Sequence, residues 1–152
     1  ICDALVQADP VRENLYRTNL VSFKVDLRRI DGILSRILAP LKGQTMYVFH
    51  PAFGYFADSY GLRQQAIEID GKEPAPRQLT RIIERARREN VRVIFVQPQF
   101  SSRQAEVMAR ELGAAVVPLD PLARDYLANL ETMTEMIRRA LTDESSEEGE
   151  DS

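Results

Sequence analysis

The stretch VRVIFV at residues 91–96 decides which fold class this chain adopts. It is an apolar run rich in β-branched and aromatic side chains, and its length suits a strand better than a helix. Strands at a protein surface alternate apolar and polar residues, whereas strands of a parallel sheet are covered on both faces and read as continuous apolar runs. The stretch therefore predicts a central strand of a buried parallel sheet.

Short strands and helices alternate on both sides of this stretch. Further strands are predicted at 45–49 (TMYVF), 63–69 (RQQAIEI) and 114–119 (AAVVPL), and helices at 52–60, 78–89, from Ser101 or Ser102 to 112, and 123–141. The aromatic residues near the first of these helices are expected to pack it against the sheet: Phe53, Tyr55, Phe56 and Tyr60. Parallel strands joined through helices form right-handed crossover units. We therefore predict an α/β fold with a four-stranded, mainly parallel sheet and helices on both faces.

A long amphipathic helix is predicted before the first strand. Asp9 and Pro10 form a helix start, and Pro40 and Gly43 end the helix near Leu38. Its apolar residues recur at steps of three to five: Leu15, Leu20, Phe23, Leu27, Ile30, Leu34 and Ile37. At about 1.5 Å per residue such a helix spans about 40 Å, more than the following domain needs. It is either a helix that joins two lobes or a packing helix with an exposed end.

Three regions follow from these patterns. Residues 1–43 are expected to be the end of an N-terminal region with the long helix, 44–141 an α/β lobe, and 142–152 an acidic tail too polar to fold. The chain opens with ICDALVQADP, which looks like the inside of a helical region, and it contains no signal peptide. We therefore expect any targeting segment to lie upstream of Ile1.

Composition argues against several classes of protein. Six of the 23 acidic residues lie in the tail, which leaves 17 acidic and 20 basic residues and a net charge near +3 in the rest of the chain. The arginines are scattered along helices without an aromatic platform, which argues against nucleic-acid binding. No apolar run reaches the roughly 18 residues of a membrane span. Cys2 is the one cysteine, so no internal disulfide can form, and we expect it to be a small buried residue.

Polar residues follow each predicted strand. His50, the only histidine, follows the first strand, and Asp120 follows the fourth. Asp70-Gly71 and Gln97-Pro98-Gln99 follow the other two strands. Ligands of open α/β sheets bind beyond the carboxyl ends of the strands, and an imidazole with a carboxylate suits either a divalent metal or a general-base pair. The alternatives are a hydrogen-bonded structural histidine and an aspartate that caps the last helix or its approach.

Other chemical signatures are missing from the sequence. There is no GxGxxG or GxxxxGK[ST] phosphate-binding loop, no GxSxG nucleophile elbow and no CxxC pair. The serines lie in capping or surface contexts. The residues alone therefore indicate an α/β domain with a candidate site at His50 and Asp120.

Several motifs resemble those of a known family, the cluster A-I substrate-binding proteins of zinc and manganese ABC transporters. The resemblance is to the C-terminal half of these proteins and runs from about residue 9 to 141. The motifs that carry it are Asp9-Pro10 with Tyr16, FHPAFGYFADSYGL (49–62), EPAPRQL (73–79), VIFVQPQFSSRQAEVMARELGAAVVPLDPLA (93–123) and YLANLETM (126–133). FHPAFGYF followed by LDPL at this separation is specific to the family.

The resemblance implies two similar α/β lobes joined by one long rigid helix, here Pro10 to Leu38, with a metal ion in the cleft between them. It implies that His50 supplies one metal ligand, where manganese-type members often carry Glu, and that Asp120 supplies another. The two remaining ligands, typically histidines, belong to the N-terminal lobe. A histidine in place of a carboxylate favours Zn²⁺ as the ligand, with Mn²⁺ as the alternative.

The function implied is that of an extracytoplasmic solute-binding protein, periplasmic or membrane-anchored, that delivers the metal to an ABC permease. The resemblance also implies that the protein is not an enzyme. Two other function classes stay open from the residues: a surface adhesin or interaction protein, and a small α/β hydrolase that uses His50 as a base oriented by Asp120.

Overall fold

A computed structural model of the chain describes residues 1–69, 72, 74–100 and 103–142. Its α-helices are α1 (Cys2–Ala8), α2 (Glu13–Leu38), α3 (Gly54–Ser59), α4 (Pro76–Arg88), α5 (Arg103–Leu112) and α6 (Tyr126–Thr142), and its strands are β1 (Thr45–Val48), β2 (Arg63–Ala66), β3 (Val93–Val96) and β4 (Ala115–Pro118). Residues 143–152 of the predicted acidic tail, Asp70-Gly71 and the serine cap predicted at 101 or 102 lie outside the described residues, and Thr142 is the last residue of α6. None of the described helices is long and apolar enough to cross a membrane.

The four strands form one parallel sheet in the order β2-β1-β3-β4. All four residues of β3 are buried, which confirms the prediction from VRVIFV. The strand sequences account for the order, because β2 reads RQQA and its polar residues are only partly covered at one edge. The predicted four-stranded parallel sheet is confirmed, and every pairing between its strands is parallel.

Helices cover both faces of the sheet, as predicted. Successive residues of a strand point to opposite faces, so Met46 and Val48 of β1 lie in one core and Tyr47 lies in the other. The first core holds residues of α2, α3 and α6, including Leu38, Ala57 and Ile137. The second core holds residues of α4 and α5: Ala86, Ala105, Met108 and Ala109. The sheet is therefore closed on both sides, and the ends of its strands remain open for a site.

The long helix is buried at one end only. Ile30, Leu34 and Leu38 of α2 are buried against α6 and the sheet, whereas apolar side chains in its first half are exposed. A 3₁₀ turn at Pro10–Arg12 precedes the helix. The Asp9 side chain makes no cap hydrogen bond and instead accepts a hydrogen bond of 3.2 Å from the Tyr16 hydroxyl. Asp9 and Tyr16 therefore hold the turn before α2 together.

Two details of the burial predictions are wrong. Tyr55 of α3 is 95% exposed and does not pack against the sheet, although Phe53 beside it is buried. α3 has only six residues, so it can turn only part of its surface to the core. Cys2 is half-buried in the short helix α1, which has no buried residue.

Candidate metal centre at the carboxyl edge of the sheet

His50 lies just beyond β1 and pairs with a glutamate just beyond β2. Its Nδ1 atom is 2.6 Å from Oε2 of Glu68. The register of the two strands pairs Thr45 with Arg63 and Val48 with Ala66, an offset of 18 residues that also separates His50 from Glu68. Backbone hydrogen bonds extend this pairing past the strands, from the Glu68 amide to the Phe49 carbonyl at 3.0 Å. The pair is therefore a consequence of strand register.

The burial of the two side chains differs. The Glu68 side chain is 10% exposed, and that of His50 is 33% exposed. A carboxylate accepts hydrogen bonds, so the contact suits a neutral imidazole with its proton on Nδ1. Nε2 then carries the lone pair, and no hydrogen bond reaches it from the described part of the chain. This is the tautomer that a metal ligand requires at Nε2.

Phe100 contacts the imidazole from the loop that follows β3. The centroids of the two rings are 4.7 Å apart and their planes are inclined by 27°, which is a stacked arrangement. The Phe100 amide donates to the Gln97 carbonyl at 3.2 Å, so a turn of residues 97–100 positions the ring. His50 is therefore held both at its Nδ1 edge and on a ring face.

Asp120 lies just beyond β4 and is half-buried. Its Oδ1 accepts a hydrogen bond from the Leu122 amide at 2.9 Å and another from the Gln99 side chain at 2.5 Å. The carboxylate thus caps the turn that approaches α6, as one alternative reading of the sequence proposed, while Asp125 accepts from the Ala128 amide at the start of α6. No hydrogen bond to Oδ2 is seen among the residues described.

The sheet places His50 and Asp120 on one edge but not on neighbouring strands. β3 lies between β1 and β4, so their backbones leave the sheet about 10 Å apart. The turn at 97–100 fills this interval, with Gln99 on Asp120 and Phe100 on His50. Within the described ranges no three His, Cys, Asp or Glu side chains group closely enough to hold a metal. The two predicted residues are thus brought to one edge without forming a complete shell.

Gln97 opens the same turn and is unusual in its burial. Its side chain is 6% exposed, and its Oε1 atom has no hydrogen-bond partner in the structure described. Most buried polar atoms are hydrogen-bonded, and the exceptions call for an explanation such as a bound water or ion. Gln97 therefore adds a buried acceptor between the strands that carry His50 and Asp120.

A cavity at the opposite end of the sheet has a different character. It has a volume of about 600 Å³ and is lined by residues at or near the amino ends of strands, including Tyr47 and Arg63, and by Glu89, which follows α4. The Tyr47 hydroxyl donates to Glu89 at 2.7 Å, and this bond, helped by Arg85, holds the pKa of the Glu89 carboxyl below its usual range. The Glu89 carboxylate is thus already engaged, and the carboxyl edge remains the candidate site.

Sequence reasoning missed Glu68 and Phe100. The sequence pattern predicts a second strand that runs to Ile69 and is followed by Asp70-Gly71, and these two residues lie outside the described part of the chain. β2 ends at Ala66 instead. The available signal was that His50 and Glu68 lie equally far from the starts of their strands. This signal predicts a contact only when the two strands are known to be neighbours in register.

Comparison with known protein families identifies the family of this chain. The profile of a family described as "Zinc-uptake complex component A periplasmic", ZnuA, matches residues 1–140. The chain belongs to this family. The match covers every element from α1 through most of α6, so the membership rests on the whole described fold and confirms the resemblance seen in the sequence motifs.

Individual members of the ZnuA family agree with this assignment. The high-affinity zinc uptake system protein ZnuA of Haemophilus influenzae is 32% identical over 124 residues, which is 80% of this chain and 37% of that protein. A crystal structure of ZnuA superposes with a TM-score of 0.87 at 38% identity, covering 91% of this chain and 55% of the other. A laminin-binding protein of Streptococcus agalactiae, described as bifunctional with adhesin and metal-transporting activity, has a TM-score of 0.84 at 28% identity, covering 92% and 57%. The chain thus spans about half the length of these two solved structures and 37% of the length of the curated relative.

Proposed function

We propose that this chain is the C-terminal lobe of an extracytoplasmic solute-binding protein that captures Zn²⁺ and delivers it to the permease of an ABC importer. Membership of the zinc-uptake family supports the cargo and the transport role. The names of the matched relatives, a zinc uptake protein among them, support the same cargo. Mn²⁺ is the alternative cargo, and the location is periplasmic or membrane-anchored. In this role the chain binds its metal and releases it without chemical change, so it is not an enzyme.

His50 through Nε2 and Asp120 through Oδ2 are the proposed metal ligands. The observation that carries the proposal is that Nδ1 of His50 and Oδ1 of Asp120 are each hydrogen-bonded, whereas Nε2 and Oδ2 receive no hydrogen bond from the described residues. Zn²⁺ accepts imidazole nitrogen at about 2.0–2.1 Å and carboxylate oxygen at about 2.0–2.2 Å in a tetrahedral shell. Two donors fill half of that shell.

The other half of the shell is proposed to come from an N-terminal lobe. The first half of α2 supports this division, because apolar side chains there stay exposed: Leu15 at 53%, Val21 at 62%, Phe23 at 46% and Val25 at 55%. A packing helix with a merely solvated end would carry polar residues at such positions. We therefore propose that residues 1–43 form the connection between lobes and that 44–141 form the lobe that carries His50 and Asp120.

Zinc titration of the two-lobe protein tests this proposal. We expect about one Zn²⁺ per protein, and we expect His50→Ala and Asp120→Ala each to weaken binding more than the roughly 10- to 100-fold lost with an outer-shell partner. Asp58→Ala is the matched control, since Asp58 is exposed on α3. A competition assay against a fluorescent chelator measures the affinities.

The 152-residue chain alone gives the complementary result. With half a shell, it should bind Zn²⁺ weakly, at concentrations well above micromolar. Zinc binding by this chain at micromolar concentration or below would contradict the division of ligands between lobes, even if His50→Ala abolished it.

An adhesin role is a second candidate for the assembled protein, because one structural relative is described as a bifunctional adhesin. Binding of the two-lobe protein to a laminin-coated surface, with albumin as the control surface, tests this role. The hydrolase alternative has no comparable support, since the described hydrogen bonds pair His50 with Glu68 and Asp120 with Gln99.

A further inference from the structure

We infer that Glu68 and Phe100 are positioning residues that hold His50 in the Nδ1–H tautomer and present Nε2 to the metal. The inference rests on the proposed function for the identity of the ligand, but the state of the imidazole is a property of this chain by itself. Neither residue touches the metal in this account. Each acts through His50.

The contact with Glu68 selects the tautomer. A neutral imidazole carries one proton, and the carboxylate Oε2 at 2.6 Å from Nδ1 offers an acceptor there. With Glu68 only 10% exposed, water competes little for this carboxylate, and a buried carboxylate without a donor is costly. The Nε2–H tautomer would set two acceptors against each other at 2.6 Å. The geometry therefore favours Nδ1–H.

The backbone fixes the relative position of the two residues. Glu68 donates its amide to the Phe49 carbonyl at 3.0 Å, and the preceding Ile67 amide donates to Val48 at 2.9 Å. Ile67 itself is fully buried in the core against α4 and α5. The backbones of the two residues are thus anchored by the same ladder that pairs β1 with β2, which fixes the positions from which the two side chains reach each other.

Phe100 supplies the second restraint. Rotation of the imidazole about χ2 out of its present plane would break the stacking on Phe100 as well as the contact with Glu68. With one face of the ring covered and Nδ1 engaged, the remaining donor atom is Nε2.

The consequence for binding is preorganisation. A metal-bound histidine commonly donates its other N–H to a carboxylate, and loss of that partner costs about 10- to 100-fold in metal affinity. We expect Glu68→Gln to weaken zinc binding of the two-lobe protein by about this factor, because the amide can also donate to Nδ1 and so stabilise the wrong tautomer. Phe100→Leu, which removes the stacked ring, should weaken binding less, by about threefold to tenfold, and Phe100→Tyr, which keeps it, should bind zinc as the parent does.

Nitrogen NMR on the 152-residue chain tests the tautomer directly. His50 is the only histidine, so a long-range proton–nitrogen correlation spectrum contains a single imidazole. For the neutral imidazole, prepared at alkaline pH, we expect the Nδ1–H pattern. In Glu68→Gln the pattern should shift toward Nε2–H or an average of the two, and in the exposed control Glu84→Gln it should be unchanged.

The outcomes separate this inference from the proposed function. A parent chain in the Nε2–H tautomer overturns the inference, and this measurement requires neither a variant nor zinc. An Nδ1–H imidazole combined with unchanged zinc affinity in Glu68→Gln also overturns it, provided that His50→Ala still loses zinc. If His50→Ala binds zinc as the parent does, the proposed function fails while the tautomer result stands.

Discussion

Replacement of Thr134 by valine should stabilise this protein. Thr134 lies on α6, is fully buried, and its hydroxyl has no hydrogen-bond partner among the described residues. A buried polar group without a partner costs about 1–3 kcal/mol, and valine replaces the hydroxyl by a methyl group of similar size. Valine and threonine have similar helix propensities, so the substitution should hardly change the intrinsic stability of α6. We expect the free energy of unfolding to rise by about 1 kcal/mol.

Thr132 on the same helix provides the matched control. It is exposed, and its hydroxyl donates to the Ala128 carbonyl at 3.0 Å. Thr132→Val should change stability by less than about 0.5 kcal/mol, as surface substitutions usually do. Urea unfolding of the chain and its two variants measures the difference, and thermal unfolding should show a rise of about 2–4 °C for Thr134→Val alone.

A loss of stability in Thr134→Val would refute this reasoning. It would mean that the hydroxyl has a partner in solution, for which a buried water is the natural occupant, since such waters satisfy otherwise unpaired polar groups. A stabilisation in both variants would be equally contrary, because it would reflect the helix and not the buried hydroxyl.

Two further predictions concern the core. Tyr47→Phe removes a hydrogen bond to a partly exposed carboxylate and should cost about 1.5 kcal/mol at pH 7. Because that bond holds the pKa of Glu89 low, the stability it contributes is present above the unfolded carboxyl pKa of about 4.3 and is lost as the pH falls below it. Urea unfolding should therefore show a smaller difference in stability between the parent and Tyr47→Phe near pH 3 than at pH 7. A difference that grows at low pH would contradict the assignment. Leu34→Ala, at a fully buried position of α2, should lower the free energy of unfolding by about 2–5 kcal/mol, whereas Leu15→Ala on the exposed half of α2 should lower it by less than about 1 kcal/mol. Urea unfolding of this chain measures both values. Equal losses would mean that the first half of α2 is covered in solution.

Much of the fold could be predicted because it depends on local patterns. The apolar run VIFV places apolar side chains on both faces of a strand, so both faces must be covered from water. β3 is indeed an inner strand, and all four of its residues are buried. Gly113 has a φ of +67°, a conformation that glycine adopts without a Cβ penalty, and α5 ends one residue before it as predicted. Periodicity and helix-ending residues act over a few positions, so the sequence displays them directly.

The details of burial were harder to predict because they depend on partners distant in sequence. Apolar residues recur along the whole of α2, yet only its second half meets α6 and the sheet. Tyr55 and Phe53 are two residues apart, and one is 95% exposed while the other is buried. A hydrophobic pattern shows which side chains can be buried. Which of them are buried depends on what packs against them.

The sequence by itself determined the alternation of strands and helices, the parallel sheet, and the position of His50 and Asp120 at strand ends. Only the tertiary structure decided the strand order β2-β1-β3-β4 and the register that sets Glu68 against Nδ1 of His50. The same order puts the turn at 97–100 between the two candidate ligands, so that Gln99 contacts one and Phe100 the other. Strand neighbours and register follow from the packing of both cores at once, and no local segment contains that information.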